Sequence, residues 1–140
     1  LGADMVVNPQ KENVNETVKK ATEGRGMDLA IVTAPNAKAV EDSIQIIRKG
    51  GKLLLFAPTQ PDQYARLSPH RLFFSEITVV PSYSVSHIET RQALELISSG
   101  KLKAKELVTH RFPLGQTQTA FQTAAKSKEC LKVVVLNEDR

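Results

Sequence analysis

Apolar positions follow two alternating rhythms along the chain: short continuous runs, and stripes at helical spacing. Met5-Val6-Val7 predicts a short strand closed by Asn8-Pro9. From Asn13 onward, Val14, Val18 and Ala21 recur at i, i+4 and i+7, one face of a helix that Gly24 and Gly26 end. Leu29-Ala30-Ile31-Val32 predicts a fully apolar strand, entered through Asp28 and stopped by Pro35. Ala37, Val40, Ile44 and Ile47 mark the next helix, with Arg48 and Lys49 in its last turn and Gly50-Gly51 as its left-handed exit. Lys52 to Phe56 reads as a buried strand, Thr59 to Arg71 as a polar, proline-containing loop, and Ile77 to Val80 as a further strand. Ser86-His87-Ile88-Glu89 has capping-box spacing, opening a helix with Ile88, Leu94 and Ile97 inward and Gly100 at its end. Leu107 to Phe112 is extended. Pro113 leads into a helix whose buried side is Ala120, Phe121, Ala124 and Ala125, followed by a strand from Leu131 to Leu136 and a polar tail from Asn137 to Arg140.

Strands and helices that alternate, with nearly continuous apolar runs in the strands, are the signature of a parallel sheet covered on both faces. The fold class is therefore α/β with right-handed crossovers. No repeat or linker interrupts the 140 residues, a length typical of one domain.

Composition removes several function classes. At 41% hydrophobic and 24% charged the chain is too apolar for disorder. Its longest apolar run, Leu53 to Ala57, is far too short to span a bilayer, so no membrane partner is expected. The net charge of +4 is spread over scattered lysines and arginines with no aromatic-interleaved basic stripe, which argues against nucleic acid. The single cysteine, Cys130, makes no disulfide within the chain and fits a reduced, cytoplasmic setting.

In a parallel α/β sheet, ligands sit outside the carboxyl ends of the strands. Three strands end alike here, in Thr33-Ala34-Pro35, Phe56-Ala57-Pro58 and Val80-Pro81-Ser82. Small residues let a flat ligand approach, and proline removes N–H groups, so these rims present carbonyls and rigid apolar surface. Such a rim suits an aromatic ring or carboxamide better than a phosphate. The G-x-G-x-x-G and G-x-x-x-x-G-K-[ST] phosphate loops are missing, and Gly24-Arg25-Gly26 precedes a strand, the wrong order for a dinucleotide loop. No G-x-S-x-G nucleophile elbow is present. His70, His87, His110 and Cys130 lack metal-ligand spacing, so neither metal ligands nor catalytic residues are assigned within this chain. Asp28 reads as the residue that orients the turn into its strand.

Several phrases, in this order across essentially the whole chain, resemble the C-terminal part of the zinc-dependent medium-chain dehydrogenases, in particular the sorbitol and threonine dehydrogenase-like members. They are Leu1-Gly2-Ala3-Asp4 with Val6-Val7-Asn8-Pro9, Gly26-Met27-Asp28, Arg48-Lys49-Gly50-Gly51-Lys52, Ser82-Tyr83-Ser84, Thr109-His110-Arg111-Phe112-Pro113-Leu114 with Ala120-Phe121, and Leu131 to Val135. The resemblance implies the second half of a Rossmann-type dinucleotide-binding domain plus a C-terminal helix and strand. It places Thr33, Ala34, Pro35, Phe56, Ala57 and Pro58 along the nicotinamide and its ribose, Ser82 and Tyr83 at the carboxamide end, and Lys132 near the cofactor pyrophosphate. Prolines and Ala57 stand where the family usually has glycine at these strand ends.

The resemblance further implies a parent that moves hydride between a secondary alcohol or polyol and NAD or NADP, with zinc ligands and the glycine-rich loop upstream of Leu1. On that expectation the chain, which opens on Leu1 and not on Met, is part of a longer enzyme and inactive alone. A homo-oligomer through sheet edges is expected as well. Two alternatives stand beside it: a free-standing, non-catalytic α/β binding or interaction module, and a zinc-free reductase of the same superfamily. In the Rossmann strand order 3-2-1-4-5-6, Met5 to Val7 would lie two strands from Leu29 to Val32. The latter edge would then be bare, and either the N-terminal segment is displaced or another chain covers the edge.

Overall fold

The computed structural model describes residues 2–137, which divide after Ser84 into two compact units. No change of composition marks that boundary.

In the first unit, α1 (Val14–Ala21) begins where the Asn13 side chain accepts the backbone N–H groups of Asn15 and Glu16 at 3.1 and 3.3 Å. Such a cap satisfies donors that a helix start leaves free. Helix α2 (Ala37–Ile46) repeats the device with Asn36, which accepts from the Ala39 N–H at 2.8 Å. Strands β1 (Met27–Val32), β2 (Ile47–Leu55) and β3 (Thr78–Pro81) form a parallel sheet in the order β1-β2-β3. Helix α2 packs on β1 and β2 and closes a core of Val32, Val40, Ile44, Ile47, Leu53 and Ile77. Ile44 and Leu53 are wholly enclosed.

Four details depart from the pattern-based expectation. Met5-Val6-Val7 forms no strand: Met5 and Val6 are exposed, and nothing pairs with the outer edge of β1 among the described residues. Three apolar residues without a neighbouring strand have no ladder to repay the ordering of their backbone. Ile47, Arg48 and Lys49 do not belong to α2, which ends at Ile46; they open β2, and Gly50-Gly51 form an irregularity within that strand. There Met27 pairs with Ile47 but Leu29 with Lys52. The close approach needs glycine. A Cβ on Gly26, whose φ is +89°, would lie 2.9 Å from the Ile46 carbonyl oxygen, and one on Gly51 would lie 2.5 Å from Cγ2 of Ile47. The expected double coverage also fails at β1, where Leu29 and Ile31 are exposed. Finally, the segment from Thr59 is irregular only as far as Ser68, which caps α3 (Pro69–Phe74) by accepting the Arg71 N–H.

Asp28 joins the turn to the sheet, as its position before the apolar run suggests. Its carboxylate accepts Nη1 and Nη2 of Arg25 at 2.9 and 2.7 Å and Nε of Arg48 at 2.6 Å. Hydrogen bonds from Arg25, then Arg48, hold the carboxyl well below its usual range, at about 2. A carboxyl depressed in the folded state adds stability that is fully present above its unfolded value of about 3.9 and is lost as pH falls through about 2. Asp28→Asn is therefore expected to lower the urea midpoint modestly at neutral pH, since the group is more than half exposed. The difference from the parent chain should close between about pH 4 and pH 2; a gap that persists at pH 2 would remove the ion pairs as its cause.

The second unit contains α4 (His87–Ser98), β4 (Val108–Pro113), α5 (Thr117–Lys126) and β5 (Lys132–Leu136), with 3₁₀ turns at Ala104–Leu107 and Leu114–Gln116. The capping box forms as its spacing predicts: Ser86 Oγ accepts the Ile88 N–H, and Glu89 accepts the Ser86 N–H at 2.7 Å. Strands β4 and β5 pair in parallel as a second sheet, and α5 packs on both. The Thr109 hydroxyl pins the pair, donating to the Lys132 carbonyl and accepting the Leu131 N–H. The inward faces expected of both helices are corrected. No residue of α4 is buried, and on α5 only Ala120 is, with Phe121 72% exposed and Ala124 and Ala125 also exposed. A two-stranded sheet offers too little surface to bury two helical faces. Of the expected polar tail, Glu138 to Arg140 lie outside the described residues.

Candidate functional site

Backbone hydrogen bonds tie the carboxyl end of β1 to the residues after β2, and the end of β2 to the residue after β3. Val32 O accepts the N–H groups of Phe56 and Ala57 at 3.1 and 3.0 Å, and Leu55 O accepts the Ser82 N–H at 3.0 Å. Beyond these bonds the chain turns away at Pro58 and, with Ser84 in the left-handed region at φ +60°, after β3. The turns open a cleft of about 630 Å³. One wall is Leu55 to Thr59; the opposite wall is Pro81 to Ser84. Val40 of α2 and Ala65 and Leu67 of the irregular segment form its floor and side. The segment is held against α2 by Glu41, whose Oε1 accepts the Arg66 N–H at 2.8 Å.

The chemistry of the lining is simple. No carboxylate, imidazole, amine or guanidinium lines the cleft, whose polar side chains are the hydroxyls of Thr59, Ser82, Tyr83 and Ser84. It has the size of small-molecule sites, roughly 300–1,000 Å³, and their mostly apolar walls with a few polar groups. It offers surface, small side chains and hydroxyls, and no strong acid, base or cation. A flat ring with a carboxamide suits it; a phosphate does not.

Of the residues singled out from the sequence, Phe56, Ala57, Pro58, Ser82 and Tyr83 come together on this cleft, with Tyr83 97% exposed at its mouth. Thr33, Ala34 and Pro35 follow β1 and do not line it. Lys132 opens β5 of the second unit with its side chain exposed. Val40, Leu55, Thr59, Ala65, Leu67 and Ser84 are lining residues that sequence reasoning missed. Ser84 stands three residues past the end of β3 and was within reach of the same rule. Ala65 and Leu67 lie in a segment with no periodicity, so only folding reveals them.

The remaining candidates have local partners. His110 Nδ1 lies 2.9 Å from the Thr109 hydroxyl, and the ring stacks on Phe112. His70 packs against Phe74, and Cys130 is half-buried. Among the described residues, no three His, Cys, Asp or Glu side chains converge as a metal site. A zinc ion does not fit this set, and no chemical step is assigned to one on this chain.

The sequence profile of the zinc-binding dehydrogenases matches residues 1–99. This chain belongs to that family. Sorbitol dehydrogenase of Bacillus subtilis (strain 168) is 31% identical over 136 residues, 96% of this chain and 38% of that protein. L-threonine 3-dehydrogenase of Caldanaerobacter subterraneus subsp. tengcongensis is 30% identical over 138 residues, again 96% of this chain and 39% of the relative. The chain thus spans under two-fifths of the length of these relatives. A crystal structure of a putative zinc-binding dehydrogenase from Sinorhizobium meliloti 1021 bound to NADP superposes with a TM-score of 0.84 at 22% identity, covering 96% of this chain and 40% of that one. That likeness carries the fold, Rossmann-type α/β, and agrees with the class read from strand and helix alternation.

Proposed function

We propose that the cleft between the ends of β2 and β3 is one wall of the site that receives the nicotinamide end of NAD or NADP. The enzyme concerned would be a zinc-binding dehydrogenase oxidising a secondary alcohol or polyol. The observation that carries this reading is the uncharged, apolar lining of a cleft at the carboxyl ends of parallel strands. When bound, the nicotinamide supplies a hydride acceptor or donor at C4. The residues of this chain bind and orient it. Ala57 and Ser82 leave room for the ring, Leu55 and Val40 exclude water from one face, and the Ser82 and Ser84 hydroxyls offer partners to the carboxamide. The resemblance extends the rim to Thr33, Ala34 and Pro35 and assigns Lys132 to the pyrophosphate, where a lysine charge suits a phosphate anion.

The wall alone is insufficient for turnover, because its lining contains no group suited to moving a proton at neutral pH. Calorimetric titration of the 140-residue chain with NADH is expected to give binding weaker than micromolar. Incubation with NAD and sorbitol is expected to give no absorbance change from NADH. Micromolar affinity would show that the site is complete within this chain and would overturn the partial-wall reading. The same proposal includes a homo-oligomer through exposed sheet edges, with the unpaired side of β1 as the candidate; sedimentation showing only monomer at high concentration would remove that part.

A further inference from the structure

The amino ends of β1 and β2, at the other end of the first unit's sheet, border a second, open cavity, of about 300 Å³. Five cations line it, Lys19, Arg25, Arg48, Lys49 and Arg71, and no carboxylate does. We propose that this cavity is a binding site for a small phosphate-bearing anion, distinct from the nicotinamide cleft and independent of its assignment.

The gathering of five cations on one cavity is the observation that points to an anion. The cavity lies at the C-terminal ends of α1 and α2, each equivalent to about half a negative charge. Asp28, which holds Arg25 and Arg48, adds one more. Together these offset about two of the five positive charges and leave a surplus of about three on the lining, part of it on the exposed Lys19 and Lys49. Arg71 is engaged, donating to the Gln45 side chain and to the Ile44 and Gln45 carbonyls at 3.1 Å, yet its buried Nε has no acceptor. Lys19 and Lys49 take part in no ion pair among the described residues. The turn amides are already committed: Gly24 N–H donates to Lys19 O, Gly26 N–H to the Thr22 hydroxyl, and Gly50 N–H to Ser75 O. Recognition would therefore come from side-chain charge, which favours a multiply charged anion over a neutral or singly charged one. The volume, at the lower end of small-ligand sites, admits a pyrophosphate or a small phosphate monoester.

The test titrates the 140-residue chain at constant ionic strength with pyrophosphate, orthophosphate and glycerol 3-phosphate, following backbone amide resonances. Pyrophosphate is expected to saturate one site and to shift Gly24, Gly26 and Ser75 but not Ala57 or Ser82. The orthophosphate and glycerol 3-phosphate arms show whether charge alone or an organic ester is preferred; saturable binding of either at the same amides also supports the site. Lys19→Gln combined with Lys49→Gln should weaken binding about tenfold or more, with far-UV circular dichroism unchanged. The control pair Lys126→Gln and Lys128→Gln should leave affinity as it was. Absence of saturable binding, equal weakening in both double variants, or shifts confined to Ala57 and Ser82 would each overturn the proposal. The last outcome would assign the anion to the nicotinamide cleft, so the two sites are tested separately.

Discussion

Leu53→Ala is expected to destabilise the first unit by about 2–5 kcal/mol, the range for deleting a buried leucine side chain. Leu53 sits in the central strand of a three-stranded sheet, in register with Ala30 on one side and Val79 on the other, and has no exposed surface. Its side chain belongs to the single cluster formed with Val32, Val40, Ile44, Ile47 and Ile77. Domains of this size are stable by only about 5–15 kcal/mol, so the loss is a large share of the total and should be visible as a collapse of the urea midpoint. Leu54, the next residue, faces the other side of the sheet and is only half-buried. Leu54→Ala should cost less than half as much. Equal costs for the two would mean that the core is not where the alternation places it.

Ala57→Trp is expected to abolish what nicotinamide binding the chain has, by at least about tenfold or 1.4 kcal/mol. Ala57 lines the cleft between Phe56 and Pro58, opposite Ser82 and Tyr83. Its backbone N–H, already committed to Val32 O, is unaffected by the change. An indole at this position would occupy the space in which the ring is proposed to lie, while the core behind it is untouched. Unchanged circular dichroism with lost affinity is the expected pair of results. Full affinity in the variant would move the nicotinamide out of this cleft.

The helices and strands of the first unit were legible because their apolar positions recur at the right period and because asparagine and glycine punctuate them. Val40 and Ile44 are buried where the stripe puts them, and in the second unit Ser86 with Glu89 closes the capping box that its spacing implies. Misreading arose where one local pattern serves two structures. Arg48-Lys49-Gly50-Gly51 has the composition of a helix exit, but it lies in a strand, from which Arg48 reaches Asp28, twenty residues earlier. Met5 to Val7 has a strand's composition without a neighbour to pair with. Phe121, Leu94 and Ile97 have a core's composition in a unit too thin to enclose them.

The candidate site was half legible. Phe56 to Pro58 and Ser82 with Tyr83 follow from the rule that ligands gather at carboxyl strand ends. Thr33 to Pro35 satisfy that rule equally and still do not line the cleft. The wall from Ala65 and Leu67 depends on the contact between Glu41 and the Arg66 N–H, a tertiary contact with no sequence signal. Arg71 was invisible for the same reason, since its partners lie in α2, about one helix and one strand earlier.

The placement of the nicotinamide site is tested most directly by titrating the ¹⁵N-labelled chain with reduced nicotinamide riboside, which carries no phosphate, and recording which backbone amides move. Amides of Ala57, Ser82 and Ser84 are expected to shift together along one saturating curve, with those of Gly24 and Gly26 unmoved. Shifts that miss the cleft, or that gather at Gly24 and Gly26, would contradict it.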